Sequence, residues 1–178
     1  MHFMSPSLYW IDANSPGRLA ITSRPRGGDW LEDEVEAWRK NGVDVVVSLL
    51  TADEVEELGL SSESVLSEAR GIRFLSFPIK DREVPASQAQ AEAFVQRVRE
   101  ALESGRNVAI HCRQSIGRSS LIAAALLIVK GATAEEAIRR ISSARGLAVP
   151  ETAEQERWLT QFSKAISSAR TPAIRSST

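Results

Sequence analysis

Residues 108–120 read VAIHCRQSIGRSS. The run Asn107–His111 has the character of a short buried strand, and an apolar helix is expected over about Gly117–Lys130. Between them come Cys112, five loop residues and Arg118, with the hydroxyl of Ser119 at the helix opening. A strand that hands over to a helix through so short a loop is half of a βα unit, from which parallel sheets are built.

The same alternation continues outward. Trp30–Asn41 places Leu31, Val35 and Trp38 at i, i+4 and i+7, an amphipathic helix ended by Asn41-Gly42. Val43–Leu50 is a nearly continuous β-branched run, the pattern of a strand covered on both faces. Gly17–Thr22 and Ile72–Phe77 read as further strands, and Ala52–Arg70 as acidic, poorly periodic helical turns. FPIKDREVP (Phe77–Pro85) is a loop with a proline near each end. Ser87 caps a long helix with Phe94, Val98, Ala101 and Leu102 on one face, stopped by Gly105. Helices over Thr133–Ala144 and Glu151–Ser167 follow, the last burying Trp158, Phe162 and Ile166. The expectation is an α/β fold: a twisted, mainly parallel central sheet flanked by helices. One domain is expected over 1–166, with 167–178 as a loose Ser/Thr/Arg-rich tail.

Each residue type in the 108–120 stretch answers a chemical need. A loop between a strand and a helix N-terminus turns successive backbone N–H groups inward, an anion cradle backed by the helix dipole. Those N–H groups stabilise the thiolate of a cysteine at the base of the cradle. An arginine six residues on can fold back and hold two oxygens of a phosphate as a fork. Gly117 is expected to supply the torsion needed to turn into the helix. With this composition, a chance run of His before the single Cys, Gly at +5, Arg at +6 and Ser or Thr at +7 has a probability on the order of 10⁻⁵.

The stretch resembles H-C-x-x-x-x-x-R-[ST], the catalytic loop of the cysteine-based protein tyrosine phosphatases. The resemblance implies that Cys112 is the nucleophile, that Arg118 and the loop Arg113, Gln114, Ser115, Ile116 and Gly117 bind phosphate, and that Ser119 hydrogen-bonds the departing sulfur. It implies a proton donor on the preceding loop, where Asp81 stands 31 residues before Cys112 and Glu83 is the competing acid. RGLAVPETAEQERWL (145–159) is similar to the segment that follows the loop in dual-specificity phosphatases of the kinase-associated and cell-cycle kind. There a glutamine helps position the hydrolytic water, and Gln155 stands in that place. Residues 27–60 resemble the N-terminal helix, strand and acidic turn of the same branch; in some relatives a buried carboxylate braces the loop arginine, and Glu54 is the residue offered for Arg118. His111 is assigned to orienting the loop backbone, with general base as the alternative. Relatives that act on inositol lipids carry extra basic residues inside the loop, whereas here Arg113 stands alone at its first position. The low-molecular-weight phosphatases, with the reverse order of cysteine and acid, are excluded.

Composition bounds the rest. The 178 residues are 43% hydrophobic and 25% charged, with a net charge of −1, which gives no electrostatic case for nucleic acid or an anionic membrane as partner. The cations are 18 Arg against 4 Lys, a bias toward the residue suited to bidentate phosphate binding. The longest apolar run, Leu121–Val129, is nine residues, far short of a membrane span, and the start MHFMSPSLYW has no leader character. The single cysteine points to a reducing, cytoplasmic setting. Expected ligands are a phosphorylated protein as substrate and phosphate, sulfate or vanadate in the loop, with no metal or organic cofactor. A phosphatase of lipids, nucleotides or RNA 5′-phosphates is the alternative enzyme, and a silent phosphate-binding module the alternative outside catalysis.

Overall fold

The computed structural model describes residues 6–171. Its strands are β1 (Tyr9–Ile11), β2 (Leu19–Ser23), β3 (Val45–Ser48), β4 (Arg73–Ser76) and β5 (Val108–Cys112). Its helices are α1 (Leu31–Lys40), α2 (Ala52–Glu57), α3 (Glu63–Ala69), α4 (Gln88–Glu103), α5 (Arg118–Val129), α6 (Ala134–Arg145) and α7 (Ala153–Arg170). The five strands form one sheet in the order β1-β2-β5-β3-β4, parallel except for β1, which runs antiparallel to β2. This is the α/β architecture expected, with β5 at the centre.

Alternation along the strands feeds two cores. Val45 and Val47 of β3 and Val108 and Ile110 of β5 face the larger one, built with α4, α5, α6 and α7. Val46 and Ala109 point the other way, onto Leu31, Val35 and Trp38 of α1 and the residues around α3. Both faces are therefore covered, which is why the β3 sequence is continuously apolar. α5 is the centre of the larger core: all 12 of its residues are buried. No helix among the described residues is long and apolar enough to cross a membrane.

Three details depart from the sequence reading. The stretch 52–70, expected as acidic, poorly periodic helical turns, forms two defined short helices. Thr51 and Glu54 form a capping box that starts α2, and Gly59, at φ +67°, turns the chain before α3. β1 has no counterpart in the pattern, because three residues on a sheet edge are too few to show a period. α7 continues through Arg170, whose guanidinium donates to the Val129 carbonyl, so residues 167–170 of the expected tail are helix. Residues 172–178 lie outside the described residues.

Candidate active site

The parallel register brings Cys112, the last residue of β5, to the same end of the sheet as Ser23 of β2, with its neighbour His111 level with Ser48 of β3. The loop 113–117 then leads into α5, whose N-cap, Gly117, makes no side-chain capping bond. The first N–H groups of α5 are thus left for whatever sits in the loop. A small cavity of about 80 Å³ opens there, lined by Asp81, Cys112, Arg113, Gln114, Ile116, Gly117, Arg118 and Glu151. At roughly 10–15 Å³ per water, it has room for a few waters or one tetrahedral oxyanion.

Cys112 is 3% exposed at its base, and its thiol donates to Ser119 Oγ at 3.4 Å. With sulfur as thiolate the direction reverses, and the Ser119 hydroxyl becomes the donor. Arg118 is 1% exposed, and a buried guanidinium needs full pairing. Glu54 provides it as a fork, with Nη1–Oε2 at 2.7 Å and Nη2–Oε1 at 2.9 Å, and the Ile79 carbonyl accepts from Nη1 at 2.8 Å. Burial lowers the Arg118 pKa, but the bond to Glu54 and the charges of Cys112, Glu54 and Asp81 outweigh it and raise it overall. Glu54 mirrors this. Burial pushes its carboxyl up, and the bonds from Arg118 and Thr51 reverse that and hold it at about 2.

Glu54 also receives Arg113, whose Nε lies 3.4 Å from Oε1 and whose Nη2 lies 3.3 Å from Glu57. The loop's one interior cation is therefore tied to two carboxylates of α2. The His111 ring is fully buried, with Nε2 2.7 Å from Glu63 and Nδ1 3.4 Å from the Cys112 carbonyl, and it stacks on Trp38 at 5.8 Å.

Of the two candidate acids, Asp81 lines the cavity, with Oδ1 3.1 Å from Arg118 Nη2, and its side chain is 56% exposed. Glu83 takes part through its backbone carbonyl, which accepts from Gln155 Nε2 at 3.2 Å. Gln155 is buried against the loop. Its Oε1 accepts from the N–H groups of Glu151 and Thr152 at the start of α7, at 3.1 and 3.2 Å. Beside it, Arg82 pairs with Glu151 at 2.6 Å and spans acid loop and α7.

Gly117 needs a different explanation from the one its sequence position suggested. Its φ of −92° is open to any residue, and the left-handed residue of the loop is Ser115, at φ +55°. A Cβ on Gly117 would lie 3.0 Å from Glu151 Oε2 and 3.1 Å from Gln155 Nε2, so glycine permits the close approach of α7. Sequence reasoning did not find Glu63, Glu151 or Arg145, which bonds to Ser115. Glu63 sits in an acidic stretch and Arg145 is a cation at a helix end, and neither pattern marks a site. Among the described residues no group of three or more His, Cys, Asp or Glu side chains could hold a metal ion.

The fold has known counterparts. The Tc-R-P family model (polymorphic toxin system, DSP-PTPase phosphatase) matches residues 20–132. The structure is similar to that of kinase associated phosphatase carrying a serine in place of its catalytic cysteine, with TM-score 0.82, 20% identity, and coverage of 92% of this chain and 97% of that one. It is similar to the active form of Tk-PTP, with TM-score 0.74, 30% identity and coverage of 90% and 99%. It is also similar to PTPMT1 in complex with PI(5)P, with TM-score 0.74, 21% identity and coverage of 92% and 99%. A cysteine at the end of a central parallel strand, beneath a phosphate-sized loop whose arginine is locked by a buried carboxylate, thus stands in a chain that belongs to the DSP-PTPase family of cysteine-based phosphatases.

Proposed function

We propose that the protein is a phosphoprotein phosphatase that hydrolyses phosphotyrosine and, where the depth of the pocket admits them, phosphoserine and phosphothreonine. The observation that carries this reading is the meeting of Cys112, Arg118 and Asp81 on one small cavity. Cys112 Sγ attacks phosphorus in line. The S–P bond forms as the P–O bond to the leaving group breaks, and Asp81 gives its proton to that oxygen. Arg118 and the N–H groups of the loop hold the equatorial oxygens, a task of position and charge. Water then attacks the phosphocysteine; its proton passes to Asp81, the S–P bond breaks, and the Ser119 hydroxyl donates to the departing thiolate. Gln155 donates one amide hydrogen to the Glu83 carbonyl, and we assign the other to this water. The reading calls for no metal or organic cofactor, and we place the enzyme in the cytoplasm on its single cysteine.

A protein substrate is preferred over a polyphosphorylated lipid because Arg113 is committed to Glu54 and Glu57 and Glu151 stands on the cavity wall. Extra phosphates would meet carboxylates there rather than free cations. The test is hydrolysis of p-nitrophenyl phosphate by the wild type, Cys112→Ser and Asp81→Asn, without metal and with vanadate as inhibitor. Activity abolished by Cys112→Ser, reduced by Asp81→Asn and blocked by vanadate is the expected result. A wild type that binds vanadate without turnover would instead be a recognition module. Phosphopeptides, inositol phosphates and 5′-phosphorylated RNA, compared at equal concentration, decide the substrate class.

A further inference from the structure

Arg145, the last residue of α6, has no part in the chemistry above, yet it bonds to the catalytic loop at three points. Its Nε donates to the carbonyl and to the hydroxyl of Ser115, both at 3.1 Å, and its Nη2 donates to the Gln114 carbonyl at 3.5 Å. Ser115 is fully buried and left-handed, at φ +55°. That conformation is disfavoured for a residue with a Cβ, and it persists only where the surroundings hold it.

A physical requirement ties these facts together. A loop that aims its N–H groups inward at an anion must aim its carbonyls outward, and at the buried Ser115 that carbonyl needs a donor, whereas the neighbouring Gln114 is exposed. Arg145 is the donor on the outside of this turn. The Tyr9 ring faces the guanidinium, 4.3 Å from centroid to Cζ. Tyr9 in turn is fixed by the pairing of β1 with β2, opposite Ile21.

We propose that Arg145 is a positioning residue for the anion cradle, holding the Gln114 and Ser115 carbonyls outward so that the N–H groups of the loop face the phosphoryl group, and that Tyr9 seats it. This rests on the phosphatase reading above. It assigns the edge strand β1 a part in anion binding, although no residue of β1 lines the cavity.

The experiment is the vanadate inhibition constant against p-nitrophenyl phosphate, with melting temperature in parallel. Arg145→Met is expected to raise that constant at least about tenfold, the scale of a lost charged hydrogen bond. Ser115→Gly accepts the left-handed φ without penalty, so on that background Arg145→Met should cost about threefold or less. Arg145→Lys, which keeps the charge and loses the fork, should cost about fivefold, and it serves if Arg145→Met does not fold. Tyr9→Ala should cost about threefold. Inhibition constants within twofold of wild type in both Arg145 variants, or equal effects of Arg145→Met on the two Ser115 backgrounds, would overturn the clamp while leaving the phosphatase reading intact. A wild type that neither turns over the substrate nor binds vanadate would overturn that reading, and the clamp with it.

Discussion

Two loops meet at the catalytic end of the sheet, and they are held in opposite ways. The loop 113–117 is held from below and outside: Arg118 on the buried Glu54, the buried Ser115 on the half-buried Arg145, and Gly117 against the buried Gln155. The acid loop is anchored at its start, where the Ile79 carbonyl accepts from Arg118, but around Asp81 its contacts are an ion pair from the half-exposed Asp81 to Arg118, the exposed pair Arg82–Glu151 and one bond from Gln155 to the Glu83 carbonyl. Buried and fully paired contacts specify one geometry, whereas exposed ion pairs are worth little and exchange readily with water. The cradle is the more fully paired of the two loops. Asp81, the proposed proton donor, sits on the less tightly paired loop.

The sharpest way to break this contrast is to loosen the cradle itself. Arg118→Lys keeps a positive charge but loses both the fork toward phosphate and the fork toward Glu54, and kcat/KM should fall about a thousandfold. A drop below tenfold would mean that the loop does not depend on its arginine. On the acid loop, Asp81→Asn should cost about a hundredfold in kcat and remove the alkaline limb of the pH–rate profile, with KM little changed.

Glu54 tests rigidity through stability. Its folded value of about 2 lies below the ordinary 4.5, so its contribution is present above pH 4.5 and is lost as the pH falls toward 2. Complete loss corresponds to about 3 kcal/mol. Urea unfolding of the wild type between pH 5 and 2 should follow that loss, and Glu54→Gln should be less stable at pH 5 and flatter across the window. Equal pH dependence in both proteins would remove Glu54 from its place under the cradle. The smallest effect belongs to the exposed latch: Arg82→Ala should change kcat/KM by fivefold or less, in line with at most about 1 kcal/mol for a surface pair. A larger loss would show the acid loop to be as tightly specified as the cradle.

What the sequence made legible was whatever is local. Cys112, Arg118 and Ser119 stand within eight residues on one βα turn, and strand, loop and helix there follow from two apolar runs and the polar turn between them. α1, α4 and α7 announced themselves by their spacing, and Trp158, Phe162 and Ile166 are buried as that spacing required. Contacts between distant segments left no such trace. Glu63 reaches His111 across 48 residues and Arg145 reaches Ser115 across 30, and in each case one side chain closes the contact without any repeat to betray it. Glu54, 64 residues from Arg118, was placed by resemblance rather than by pattern. Gly117 shows the same limit from another direction, since its reason lies in α7 and not in its own torsion.

The burial of α5 has a consequence for how the enzyme can fail. A helix wrapped by protein on every side exposes its amides to solvent only when the molecule as a whole opens, so its backbone should be among the slowest to exchange hydrogen for deuterium. Arg118 and Ser119 form the first turn of that helix. Their end of the site therefore belongs to the last unit to open, whereas fraying elsewhere can proceed without touching it. On gentle heating, the amides of this turn should keep their protection until the cooperative transition and lose it there.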